Sequence, residues 1–350
     1  MNNHGKDYRW AVVGAGPAGI LAIGKLLDRD VPGNQILWVD PEFHVGDLGK
    51  KWTCVPSNTK VNLFIRFLEG CNSFNFSAGK DQFELMQLDP EGTCLLGAVV
   101  KPLQWVTEQL AKQVICHQGT IEQLKNGRHG WKLKTDDHAE YHASNVILST
   151  GAEPRQLEHG VGEVVSLEDA FDDHRFYEKI LKDDVVAVFG ASHSGILIVK
   201  RLVELGVKGV RNFYLSPLKY AVYLKDMILF DNTGLKGTTA TWAKENLSGQ
   251  LPDNVQRILS TPENVAKHLP ACTKVIYATG FDSRQLSIEG VDSRRYNPHC
   301  GILAPGLFGL GIAYPEHCED KFRIKEHRVG LWKFMDYIDR VLPLWEQYSK

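Results

Sequence analysis

The hexapeptide GAGPAG sets Gly14, Gly16 and Gly19 at a spacing suited to holding a pyrophosphate. The first glycine makes the tight turn, the second lets backbone approach the phosphates, and the third lets the following helix pack on the preceding strand. A helix opening at Pro17 and Ala18 then offers unpaired N–H groups and a partial positive charge. Downstream, the strand QILWVD ends in Asp40, followed by Pro41, where a carboxylate accepts hydrogen bonds from a ribose. A second loop, GASHSG, keeps Gly190 and Gly195, has Ser192 at the middle position, and adds Ser194. After its own second strand, GVRNFYLS, no acidic residue follows. Ser216 and Lys219 stand there instead, and a hydroxyl with an ammonium receives a 2'-phosphate that a carboxylate would repel. Two dinucleotide sites in one chain serve hydride transfer from a nicotinamide to a second redox carrier. The expected cofactors are FAD on the first loop and NADPH on the second.

Each loop needs a strand before it and a helix after it, and the sequence supplies both. WAVVGAGPAGILAIGKLLD and VVAVFGASHSGILIVKRLVELG each open on a short apolar run and continue with apolar residues at helical spacing. Between them, GWKLKTDD and EYHASNVILST read as antiparallel strands with a turn at Asp136 and Asp137. NVILSTGAEP returns to the first sheet and stops at Thr150 and Gly151; KVIYATGFDS returns to the second and stops at Thr279 and Gly280. The stretch DNTGLKGTTATWAKENLSGQ reads as loose, GLFGLGIAY as a last strand, and RVGLWKFMDYIDRVLPLWEQY as an amphipathic helix with Trp332, Met335, Ile338 and Leu342 on one face. This order predicts an α/β fold of two Rossmann-like dinucleotide-binding domains, the NAD(P) domain inserted into the FAD domain. The FAD-binding domain is expected at 1–178 and 276–350, and the NAD(P)H-binding domain at 179–275.

Bulk properties narrow the class of function. With 40 Lys+Arg against 42 Asp+Glu the formal net charge is -2, and no long basic run points to a nucleic acid or an anionic membrane surface. The apolar run after Arg9 is too short and too glycine-punctuated to span a bilayer, and nothing before it forms a cleavable leader, so a cytoplasmic protein is expected. The seven cysteines are scattered without a Cys-x-x-Cys pair, which fits a reducing compartment and offers no metal motif.

Taken together, GAGPAG, GDLGKKW, PSNTK, STGAEP, GASHSG and YATGF give a chain that resembles the flavin-containing monooxygenase group of two-dinucleotide-binding-domain flavoproteins, over nearly its whole length. GDLGKKW is similar to that group's Gly-Gly-x-Trp stretch, which implies cofactor contacts at Gly46, Gly49 and Trp52, although Lys50 and Lys51 depart from it. The resemblance also implies that Asn58, after Ser57 and before Lys60, lays its amide beside the reactive edge of the flavin. An amide there orients a C4a-hydroperoxyflavin without donating a strong acid's proton. As a plain turn former after Pro56, Asn58 would have no such role. The group's histidine-bearing fingerprint between the domains is reduced here to its closing aromatic, Phe171.

The implied activity is an FAD-dependent, NADPH-using monooxygenase acting on a small-molecule substrate and molecular oxygen. The alternative is an NADPH-dependent flavin reductase of the thioredoxin reductase-like kind, acting on a disulfide, quinone or protein acceptor. CVPS at 54–57 resembles the redox-cysteine segment of such reductases. Yet a disulfide reductase needs two thiols, and the position where a partner for Cys54 would fall is Gly49. Cys54 therefore reads as a small packed side chain, with a lone thiolate cycling through a sulfenic acid as the alternative. Phe64, Phe67, Phe74, Phe76, Tyr223 and Trp242 are expected either to line an apolar substrate cavity or to form core.

Overall fold

The computed structural model describes residues 7–128, 130–284, 286–292 and 295–349. In chain order the first stretch carries β1 (Asp7–Val13), α1 (Pro17–Leu27), β2 (Ile36–Asp40), α2 (Gly46–Lys51), β3 (Pro56–Lys60), α3 (Val61–Leu68), β4 (Thr93–Leu95), α4 (Leu96–Ala111), β5 (Ile115–Gln118), β6 (Ile121–Gly127), β7 (Gly130–Thr135) and β8 (Glu140–Leu148). The middle stretch carries α5 (Leu167–Phe171), α6 (Asp173–Lys179), β9 (Val185–Phe189), α7 (His193–Leu205), β10 (Gly209–Tyr214), α8 (Gly237–Leu247), β11 (Val255–Leu259) and β12 (Lys274–Tyr277). The last holds β13 (Leu307–Gly309) and α9 (Leu331–Gln347). The chain divides into two compact units, one of 1–53, 60–152 and 283–350, the other of 54–59 and 153–282.

In the first unit β1 lies between β2 and β8, parallel to both, and β5 extends the sheet beyond β2. The antiparallel strands β6 and β7 continue from the start of β8, while β13 runs parallel to its end. Strands buried on both faces are apolar runs, and β2 meets that demand with Ile36, Leu37, Trp38 and Val39 buried before it ends in Asp40. One face carries α1, α3, α4 and α9, which share a core with Trp10, Trp38 and Phe308. The closing helix α9 docks as its periodicity predicts: Met335, Ile338 and Leu342 are buried, and Trp332 is partly buried under the Arg66 guanidinium at 4.0 Å. Trp345 stacks on Phe308 at 4.9 Å, and its indole N–H donates to the Cys300 carbonyl at 2.6 Å.

The second unit is a five-stranded parallel sheet in the order Glu163–Val164, β12, β9, β10, β11. The expected α/β architecture of two Rossmann-like units, one inserted into the other, is therefore present. The borders of the compact units fall at 152/153 and 282/283. Residues 153–178 belong to the second unit because Val164 pairs with β12 and because Arg201 of α7 donates to the Phe171 carbonyl and covers the Phe176 ring at 4.4 Å. The stretch expected to be loose contains α8, a helix with three buried residues, Thr239, Ala243 and Leu247. Among the described residues no helix is long and apolar enough to cross a membrane.

Candidate active site

Within the first unit, the glycine loop shows why each of its glycines is there. Gly14 has φ +106°, a conformation that L side chains rarely adopt, and a Cβ on it would come within 3.0 Å of the Ser149 carbonyl. A Cβ on Gly19 would collide with the carbonyl of Gly14 itself. These two glycines are demanded by protein atoms. Gly16 is not: its φ of -74° and ψ of 178° suit any residue, and a Cβ there would meet nothing within 4 Å. The open space beside Gly16 lies at the N-terminus of α1, where no side chain caps the helix. Ser149 adds a buried hydroxyl with no partner among the described residues. Residues Pro17 and Ala18 form the first turn, Gly46 of α2 would bring a Cβ to 3.0 Å from the Gly16 Cα, and Gly311 would bring one to 2.7 Å from the Ala18 Cβ. A cradle open where a pyrophosphate fits, and closed elsewhere, suits FAD.

Asp40 is placed differently from a free ribose ligand. It is 7% exposed, one oxygen accepts from Ala15 N–H at 2.6 Å, and the other accepts from Glu42 and Phe43 N–H at 2.8 and 2.6 Å. The carboxylate thus ties the end of β2 to the glycine loop. The Pro41 carbonyl accepts from Gln118, Gly49 is buried in α2, and Trp52 closes that helix. Thr150 and Gly151 follow Ser149, with the Thr150 carbonyl accepting from Arg284 at 3.2 Å; the same guanidinium bonds Asp47 at 2.5 Å. A cavity of about 490 Å3 in this unit is lined by His44, Glu84, Leu88, Cys94, Leu95 and Lys101 among others, a size proper to a small-molecule site. The phenylalanines at 64, 67, 74 and 76 lie instead in the core, and Tyr223 of the other unit is 59% exposed.

The second unit repeats the loop with one change. Gly190 has φ +120° and a Cβ there would come within 3.0 Å of the Ala278 carbonyl; a Cβ on Gly195 would lie 2.5 Å from the Gly190 carbonyl. Ser192 stands in the extended conformation, so the middle position tolerates a side chain, and its hydroxyl does not cap α7. His193 and Ser194 open that helix. Ser216 and Lys219 are exposed after β10, the Lys219 ammonium 5.6 Å from the Phe230 ring centroid. Thr279 donates to the Arg155 carbonyl at 3.0 Å, and Gly280, at φ +99°, accepts from Arg155 N–H at 2.9 Å.

Residues 54–59 fold with this unit. The Ser57 hydroxyl, buried, accepts from Thr59 N–H at 2.8 Å and so shapes its own turn rather than facing outward. Asn58 is half-buried, its amide oxygen 3.4 Å from the Thr59 hydroxyl. Cys54 is exposed, not packed: it lies in the turn before β3, and Val55 takes the buried position. The Pro56 carbonyl accepts from His193 Nε2 at 3.1 Å, tying the Asn58 segment to the second glycine loop.

That bond fixes the tautomer of His193, because a carbonyl only accepts, so Nε2 carries the proton. Nδ1 is buried without a partner among the described residues. Burial, and then Lys236, hold the imidazole below its ordinary value of 6.5, against the pull of the Pro56 bond. A lowered value in the folded state means that the unfolded chain binds the proton first. Stability contributed by neutral His193 is present above the unfolded value and is lost as pH falls below it. Thermal melts from about pH 7.5 to about pH 5 are expected to show this loss, and His193→Gln to flatten it.

Comparison with known proteins bears on both loops. Residues 8–219 match the family described as pyridine nucleotide-disulphide oxidoreductase. The chain is 32% identical to a protein named Monooxygenase AgnR1 from Paecilomyces divaricatus, over 95% of this chain and 97% of that one. Its fold is similar to that of a flavin-containing monooxygenase from Stenotrophomonas maltophilia, at TM-score 0.63 and 14% identity over 98% of each chain. It is also similar to that of Lactococcus lactis thioredoxin reductase, at TM-score 0.59 and 13% identity over 97% of this chain and 98% of that one.

Proposed function

The chain belongs to the pyridine nucleotide-disulphide oxidoreductase family, a flavin-dependent oxidoreductase, and on that premise we propose that it is an NADPH-using monooxygenase of a small-molecule substrate. The observation that carries the reading is the pair of glycine loops, each ending at a helix N-terminus without a side-chain cap. FAD, when bound, supplies a carrier that accepts hydride and, once reduced, reacts with molecular oxygen. The first loop, with Gly14, Gly16 and Gly19, would hold its phosphates, while Asp40 fixes the loop and keeps acceptor capacity for a ribose. The second loop, with Gly190, Ser192, Ser194 and Gly195, holds NADPH.

Asn58 provides a neutral amide for the reacting edge of the flavin, and the His193–Pro56 bond positions it. The lineage of the 32% identical relative favours oxygenation over disulfide reduction. So does the sequence around Cys54, since Gly49 stands where the second thiol of a disulfide reductase would fall.

The test is spectroscopic. Purified protein is expected to be yellow and to bleach on anaerobic NADPH. Mixed with oxygen, it should return to the oxidised spectrum in two phases, and Asn58→Ala should merge them while leaving the bleaching rate within about twofold. A single-phase return in the wild type, with rapid anaerobic turnover of a quinone or disulfide acceptor, would establish a reductase instead.

A further inference from the structure

The second unit holds a cation that no carboxylate among the described residues neutralises. Arg257 of β11 lies opposite Asn212 of β10 in the parallel register. Its Nε donates to the Asn212 amide oxygen at 3.3 Å, and its guanidinium lies over the ring of Tyr214, the last residue of β10, at 4.7 Å. The side chain therefore runs toward the carboxyl end of the sheet, where nucleotides bind in open α/β folds. Asn212 in turn donates to the Gly190 carbonyl at 2.7 Å, so guanidinium and glycine loop are separated by one amide. Nη2 is buried and has no hydrogen-bond partner among the described residues. Among the described residues no carboxylate pairs with the group: burial pushes it down, against the weaker pull of the phenols of Tyr214 and Tyr220. A half-buried guanidinium is costly without an anion, and every other feature of its surroundings fixes its position without supplying one.

We infer that Arg257 supplies the anion-binding charge of the second unit and takes the 2'-phosphate of NADPH, with Asn212 and Tyr214 holding the guanidinium in place. This rests on the reading of the second loop as a nicotinamide nucleotide site. It moves the specificity charge from exposed Lys219 to a residue held by the sheet. Fork-shaped donors suit a phosphate better than a lone ammonium, and stacking on Tyr214 leaves the rim of the guanidinium for the ligand.

Calorimetric titration of the flavin-loaded protein with NADP+ and with NAD+ tests it. In the wild type NADP+ is expected to bind more tightly than NAD+. Arg257→Gln should weaken NADP+ by about tenfold or more, leave NAD+ unchanged, and retain the wild-type melting profile. Arg257→Lys, which keeps the charge and loses the fork, should fall between. Equal weakening of both nucleotides, or weakening of neither, would overturn the assignment and leave the nucleotide site standing. The same holds if Arg257→Gln and Arg257→Lys both fail to fold, because Arg257 would then be structural. If the wild type bound neither nucleotide and NADPH did not bleach the flavin, the assignment and the reading beneath it would fall together.

Discussion

Gly19→Ala is expected to lower the stability of the first unit by about 3 kcal/mol or more, with or without FAD present. The added methyl would occupy the place of the Gly14 carbonyl oxygen, and that carbonyl cannot retreat. It accepts the indole N–H of Trp38 at 3.0 Å, and the Gly14 N–H is itself held by the Val39 carbonyl at 2.8 Å. Relief would need α1 to lift off β1, opening the core that contains Ile20, Leu21 and Ile23. Thermal melting of the apoprotein is the measurement. A shift below about 2 °C would show that helix and strand are not clamped together here.

Gly16→Ala should do the reverse. Its backbone is extended and the space around it is open, so the apoprotein should melt within about 1 °C of the wild type. The methyl would instead occupy space meant for the pyrophosphate, an overpacking cost of about 1–3 kcal/mol, or roughly 5- to 150-fold in FAD affinity. Reconstitution followed by flavin fluorescence reads it. Unchanged affinity would mean that the flavin phosphates lie elsewhere. The contrast between two glycines three positions apart separates what the fold needs from what the ligand needs.

Much of this was legible in the sequence because it is set locally. A parallel strand buried on both faces has to be an apolar run, and the turn that leaves it needs glycine at Gly14 and Gly190; both units were found from those constraints alone. The amphipathic face of α9 was readable for the same reason. What escaped depends on distant partners. Helix α8, GTTATWAKENL, has a glycine and three threonines and a weak apolar stripe, so its burial comes from packing rather than propensity. The border near residue 153 follows from Arg201 and Phe176 meeting across 25 positions of chain. Arg257 in VQRIL looks like any solvent-facing strand arginine until Asn212, 45 positions earlier, is set opposite it. The carboxylate of Asp40 is visible at the end of QILWVD, but its bond to Ala15 N–H is not set by spacing. Cys54 was placed inside because a small thiol usually packs, whereas the neighbouring valine had the stronger claim on the interior.

The insertion also orders events during synthesis. Strand β8 has its amino-terminal half paired with β7, but the carboxyl-terminal half waits for β13, about 160 residues later in the chain. Until the ribosome has passed Gly309, the sheet that carries the first glycine loop lacks a flank, and Trp345, which covers Phe308, arrives later still. The inserted stretch 153–282 has all five of its own strands well before then. The inserted unit can thus consolidate on the nascent chain while the first unit is still open.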